Sequence, residues 1–225
     1  MAEITARVAL LGLGVAMSPV PIAGVLVVLL GKRARAGGLA IATAWVLGNT
    51  VAIALAIAFA GSLSVPKQGY DLPFEGLMSA LLGIGLVVSA WLARRGRFRS
   101  EDPFAPPEWV NAVDRLSPSG GAFVAFTNAT TSPKNLALAI VAGAAIQDAT
   151  AFWAAPLAEA VVYVACAATT IVTPVVIYLV FGSRAEALLG RARAFVTTRA
   201  SAMMEITFMI VGVALMAKGI HNLLG

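Results

Sequence analysis

A single cysteine, Cys166, and a single histidine, His221, exclude an intrachain disulfide framework and a Cys/His metal cluster. Charge is scarce too: 12% of the 225 residues are Asp, Glu, Lys or Arg, against 60% apolar. A soluble domain of this make-up would carry an almost unbroken apolar surface, so the composition leaves a membrane protein. The carboxylates are few and none falls in either of the proline motifs described below, which argues against export of a divalent cation. His221 lies near the C-terminus, far in sequence from the serines of those motifs, so no nucleophile–base pair is read and no enzyme is expected. No cofactor and no metal are expected. Cys166, alone on an apolar run, reads as a small packing residue.

What is abundant is hydrocarbon, in six runs each near the roughly 20 residues that cross a bilayer as helix. They lie at Val8–Leu30, Leu39–Ala60, Phe74–Ala93, Gly121–Ile146, Ala155–Phe181 and Ala202–Leu224. The first resembles a signal peptide in having Arg7 ahead of it, but it continues to Leu30 and ends at "KRAR", as a retained span does. The loops after runs one, three and five hold twelve basic residues, and the other two loops hold Lys67 alone. The net charge of +5 is therefore a topology signal and not a nucleic-acid surface. The positive-inside rule places the basic loops in the cytoplasm and both termini outside. Three spans in each half then make the second half, residues 118–225, enter from the side opposite to the first, residues 1–93.

Within the cytoplasmic loops, "PPEWVNAVDRL" sets Trp109, Val113 and Leu116 on one helical face, inside the linker at 94–117. "SRAEALLGRARAFVTTR" sets Leu188, Ala192 and Phe195 against a basic remainder. Each reads as a short amphipathic helix on the inner leaflet, or as a solvated basic loop that only enforces topology. Span two shows a small residue at every fourth position, Ala40, Ala44, Gly48, Ala52, Ala56 and Ala60. Such a ridge admits a second helix at close range, from this chain or from another protomer.

Two polar interruptions stand out. Span one contains "MSPVPIAG", with Ser18, Pro19 and Pro21, and span four contains "FTNATTSPKN", with Asn128, Thr131, Ser132, Pro133, Lys134 and Asn135. A mid-helix proline removes a donor and pushes the residue before it out of helical geometry, while Ser-Pro is a good helix start. Each span therefore reads as two half-helices meeting at the midplane, where their N-termini carry partial positive charge. Lys134 adds a full one, and Asn49 of span two stands ready to join. Discontinuous helices at equivalent places in two inverted halves are the pattern of a secondary transporter's binding site. These residues are expected to form a substrate-binding pocket that favours an anionic or amphipathic small molecule. Glu159 and Glu205 are read either as carriers of coupling protons or as interfacial, solvated carboxylates.

Around "MSPVPIAGVLVVLLGKRARAGGLAIATAWVLGN" and "TSPKNLALAIVAGAAI" the chain resembles the LysE superfamily of membrane exporters. Within it the likeness is to the GAP family, also described as Sap-like or sulfolipid-1-addressing proteins. Many superfamily members have Asn-Pro where this chain has Ser132-Pro133. The resemblance implies six helices as an inverted repeat, with the first and fourth broken. It also implies export of small molecules or delivery of glycolipids to the bacterial cell envelope.

Two functions follow from different classes. One is a transporter in the plasma membrane that works by alternating access around the two Ser-Pro breaks. The other is a non-transporting accessory protein that recruits envelope-lipid machinery through Arg94–Arg115 and Gly182–Arg199. Membrane lipids and the substrate are the expected partners, with a second copy of the chain or the lipid-export machinery also open. A lysine in hydrocarbon favours the first, because a scaffold gains nothing from that cost.

Overall fold

The computed structural model describes residues 2–62, 74–99, 117–149 and 154–224. Trp109, Val113 and Leu116 of the first expected surface helix, and Lys67, lie outside these residues. The described residues form eight α-helices: α1 (Ala2–Ala16), α2 (Pro19–Leu29), α3 (Ala34–Ser62), α4 (Phe74–Arg99), α5 (Pro118–Thr131), α6 (Pro133–Ala149), α7 (Ala154–Phe181) and α8 (Glu186–Leu224). A 3-10 turn, Gly182–Ala185, joins the last two. The apolar stretches Ala34–Ala60 and Pro156–Arg199 are long enough to cross a bilayer, and α1 with α2 makes a third candidate, bent by 60°. These apolar helices mark a multi-pass membrane protein.

Proline sets the two breaks. Ser18 has φ −89° and ψ 108°, and Ser132 has φ −62° and ψ 124°, both extended as the residue before proline prefers. Proline alone does not suffice, since Pro174 lies inside α7 without ending it. A different device ends α7: Gly182 takes φ +58°, a left-handed conformation that suits glycine and turns the chain into the 3-10 segment.

At each break, helices lie along a helix of the other half of the chain. α1 follows α7 in parallel: Thr5 meets Glu159, Gly12 meets Tyr163, Cys166 and Ala167, and Ala16 meets Thr170. α5 and α6 follow α3 in the same manner, with Gly121 at Ile41, Ala129 at Gly48 and Gly143 at Ala56. A Cβ on Gly48 would lie 2.7 Å from that of Ala129, and one on Gly143 2.7 Å from the Ala56 backbone. The small-residue ridge of span two thus has its partner within the chain, in α5 and α6. Trp45, fully buried, ties α3 to α7 by donating from Nε1 to the Ala167 carbonyl at 3.0 Å.

α4 and α8 run antiparallel and cross at Gly83 and Gly212, where each glycine sits on the backbone of the other helix. Arg94 and Glu205 meet further along the same pair, Nε to Oε1 at 3.6 Å. Two expectations change here. α4 continues through Arg99, past the end of the third apolar run expected at Ala93. The segment read as a separate surface helix, Ser183–Arg199, instead runs from Glu186 unbroken into the sixth apolar run as the start of the 39-residue α8. Its buried residues are Ala185, Leu189, Val196 and Thr197, with Ala192 packed beside them, whereas Leu188 and Phe195 are exposed.

Candidate functional site

The end of α1 is the centre of the arrangement. A helix leaves its last four carbonyls without intrahelical partners, and in a membrane each must find one. Here all are satisfied. Leu13 accepts from the Met17 amide at 3.1 Å and Val15 from the Ser18 hydroxyl at 2.8 Å. Gly14 accepts from Lys134 Nζ at 2.9 Å, and Ala16 from Thr170 Oγ1 at 2.8 Å. Lys134 Nζ also donates to Ser18 Oγ at 2.7 Å. Both side chains are buried, Lys134 at 3% and Ser18 at 7% exposure.

The structure therefore brings the two Ser-Pro breaks together, but with chemistry other than that expected. Ser18 occupies the N-cap position of α2 without its side chain capping that helix. Its hydroxyl turns back to α1. Ser117, in a third Ser-Pro pair, shows the contrast: its Oγ accepts from the Gly120 amide at 3.1 Å and caps α5. Nor does α2 offer much to an anion. Pro19 and Pro21 carry no N–H, and the Ile22 amide donates to the Ser18 carbonyl at 3.4 Å, which leaves Val20 alone in the first turn. The ammonium of Lys134 faces the negative end of α1 in place of a cradle of N-termini. It does not neutralise Glu159 or Glu205.

The remaining expected residues divide. Asn49 and Asn135 are each buried to 1% exposure. Asn49 Nδ2 donates to the Trp45 carbonyl at 2.9 Å and Asn135 Nδ2 to the Asn128 carbonyl at 3.2 Å. In both, Oδ1 has no partner among the described residues. Pro19 and Pro21 are buried. Ser132 is half-buried, and Thr131 and Pro133 are exposed on the outside of the break. Thr131 bonds its own helix, Oγ1 to the Thr127 carbonyl at 2.8 Å, and so is not gathered into the site. An apolar crevice opens between α2, α3 and α5, lined by Val20, Pro21, Gly24, Val25, Ile41, Gly121, Val124, Ala125 and Asn128.

Glu159 overturns the picture of an interfacial, solvated carboxylate. It is 4% exposed, and its Oε1 accepts from Thr5 Oγ1 at 2.6 Å. Its Oε2, like the hydroxyl of Tyr163 one turn on, is buried without a partner among the described residues. Glu205 lies beside Arg94. Sequence reasoning missed Gly14, Thr170 and Thr5. Nothing in the sequence singles out a backbone carbonyl or an ordinary threonine on an apolar helix.

A helical membrane protein with a broken first span, whose break is tied to a second break by a buried lysine, is the class that fold and site define. The family described as Sap, sulfolipid-1-addressing protein matches residues 8–221, and the chain belongs to it. No curated protein and no solved structure matches the chain.

Proposed function

We propose that this Sap-family protein is a transporter that moves a small amphipathic or anionic molecule across the bacterial plasma membrane by alternating access around its two breaks. The Lys134–Ser18 bond carries the reading, because it makes one structural unit of two breaks 116 residues apart. A buried charge at such a junction is a functional device by default. The apolar crevice beside Pro21 and Asn128 supports the amphipathic side of the reading more than the anionic one.

The architecture proposed with it is six spans in two inverted repeats of three, both termini extracytoplasmic. Its support is the direction of packing. α1 runs parallel to α7, α5–α6 parallel to α3, and α4 antiparallel to α8. Inverted halves with three spans each require those three directions. The reading is of a carrier and not an enzyme. Glu159 is the better candidate of the two carboxylates for carrying a coupling proton, because it is the more deeply buried.

The family's description, sulfolipid-1-addressing, ties this reading to the handling of a sulfolipid. A second reading, of an accessory protein that docks envelope-lipid machinery, is favoured by one feature. Arg184, Leu188, Arg191, Phe195 and Arg199 are all exposed, at helical spacing on one side of the 3-10 turn and α8. Proteoliposomes separate the two. A fluorescent anionic lysolipid should cross the bilayer faster with the protein than without it, and Lys134→Met should remove the gain. A rate equal to that of protein-free vesicles overturns transport in favour of the accessory role.

A further inference from the structure

The hydrogen-bonding capacity left over at the second break is acceptor, not donor. Asn49 and Asn135 both spend their Nδ2 on backbone carbonyls, which fixes the orientation of each amide, since a carbonyl can only be met by the nitrogen. Among the described residues their Oδ1 atoms are buried and unpartnered, an arrangement that a folded protein rarely keeps without use.

Register places the two at a common level along α3. α3 meets α5 at Gly48 and Ala129, and meets α6 at Ala56 and Gly143. The break at Ser132–Asn135 therefore falls level with the turn of α3 that begins at Asn49. Asn49 is also seven residues, two helical turns, before Ala56, so it lies on the face of α3 turned to α6. Lys134, next in sequence to Asn135, directs its ammonium the other way, to Gly14 and Ser18. A second cation close to that charge in a low-dielectric interior is disfavoured, whereas a neutral donor is not. The apolar crevice extends toward the same level. It runs from Val20 and Ile41 to Asn128, whose carbonyl holds Asn135.

We propose that Asn49 Oδ1 and Asn135 Oδ1 form an acceptor subsite for the neutral, hydroxyl-bearing end of an amphipathic ligand whose apolar part lies in the crevice between α2, α3 and α5. The subsite deepens the transporter reading and rests on it for the amphipathic character of the ligand. It assigns headgroup selection to two amide oxygens and not to the lysine.

The test measures binding, so that it stands apart from transport. The full chain is purified in lauryldimethylamine oxide, whose headgroup has no hydrogen-bond donor. It is then titrated below micellar concentration with octyl glucoside, with octylphosphocholine of the same chain length, and with glucose alone. Octyl glucoside is expected to raise Tm by several degrees more than octylphosphocholine. Asn49→Leu and Asn135→Leu are expected to abolish that difference while leaving the unliganded Tm close to that of the wild type. Removal of the unpaired buried acceptor offsets the loss of the Nδ2 bond, and the Asn128 carbonyl keeps the Ser132 amide as a donor. Where leucine is not accommodated, alanine at the same position serves. Stabilisation by glucose alone assigns the subsite to a free polyol, and stabilisation only by the glycoside assigns it to a lipid-like ligand. Equal shifts from both amphiphiles in the wild type, or a glucoside preference that survives in both variants, overturn the proposal. Failure of transport in vesicles alongside an intact glucoside preference would count against the transporter and leave the subsite standing.

Discussion

Lys134 Nζ donates to Ser18 Oγ at 2.7 Å, across 116 residues, and the same ammonium donates to the carbonyl of Gly14. One side chain thus closes the C-terminal end of α1 and joins it to the start of α6. A lysine that caps a helix end is a structural element as well as a charge. Its replacement is therefore expected to act on folding and on transport together.

Lys134→Ala leaves the Gly14 carbonyl buried without a donor, at a cost of about 1–3 kcal/mol. The variant should melt several degrees lower than the wild type and lose transport. Ser18→Ala removes one of two bonds to the ammonium and also the donor of the Val15 carbonyl, and should cost a similar amount. The double variant should lose less than the sum of the two single variants, because the two side chains share one interaction, but more than Lys134→Ala alone, because the Val15 carbonyl also loses its donor. Thermal melts of the four proteins in one detergent check this. Additive losses would show that the bond has no weight.

Gly83 lies on the backbone of Gly212, where an added Cβ would come within 2.6 Å of the Gly212 carbonyl. Gly83→Val should force α4 off α8, destabilise by about 1–3 kcal/mol and lower the yield of monodisperse protein. Gly85 is two residues on and meets nothing within 4 Å, so Gly85→Ala should be neutral or gain a few tenths of a kcal/mol, up to about 1 kcal/mol, from helix propensity. Size-exclusion profiles and melts of the pair distinguish close packing from a general dislike of substitution in α4.

Glu159→Gln keeps an acceptor for the Thr5 hydroxyl and should preserve the fold. If the carboxyl carries the coupling proton, the variant should lose accumulation driven by a pH gradient while exchange between equal solutions persists. Thr5→Val should not reproduce this loss. Gradient-driven accumulation that survives in Glu159→Gln removes the carboxyl from the coupling path.

Ser117→Ala should cost about 1 kcal/mol, the usual worth of an N-cap, and leave transport unchanged. Ser18→Ala should reduce transport, since its hydroxyl serves the link between the breaks and does not cap α2. Parallel measurements of stability and transport on the two variants separate a cap from a junction, although both begin as Ser-Pro.

Much of this was legible from residues in order. Apolar composition placed the chain in a membrane, and the Ser-Pro pairs marked where α1 and α5 end, because both signals depend only on a residue and its neighbours. The small-residue ridge of α3 announced a close helix neighbour without naming it. The buried place of Glu159 was hidden, because a carboxylate a few residues inside an apolar run looks solvated until α1 covers it.

The role of Lys134 was decided only in three dimensions. From sequence it is a positive charge beside a helix N-terminus, and an anion site is the natural inference. In the fold, the last carbonyls of α1 require donors, and those donors come from Lys134 and Thr170, residues 120 and 154 positions away from the carbonyls they serve. The sequence by itself determined where the helices break, since proline acts on its own backbone and on the residue before it. Tertiary structure determined what the breaks hold, since the unpaired groups of one helix end are satisfied by whatever side chains packing brings to them.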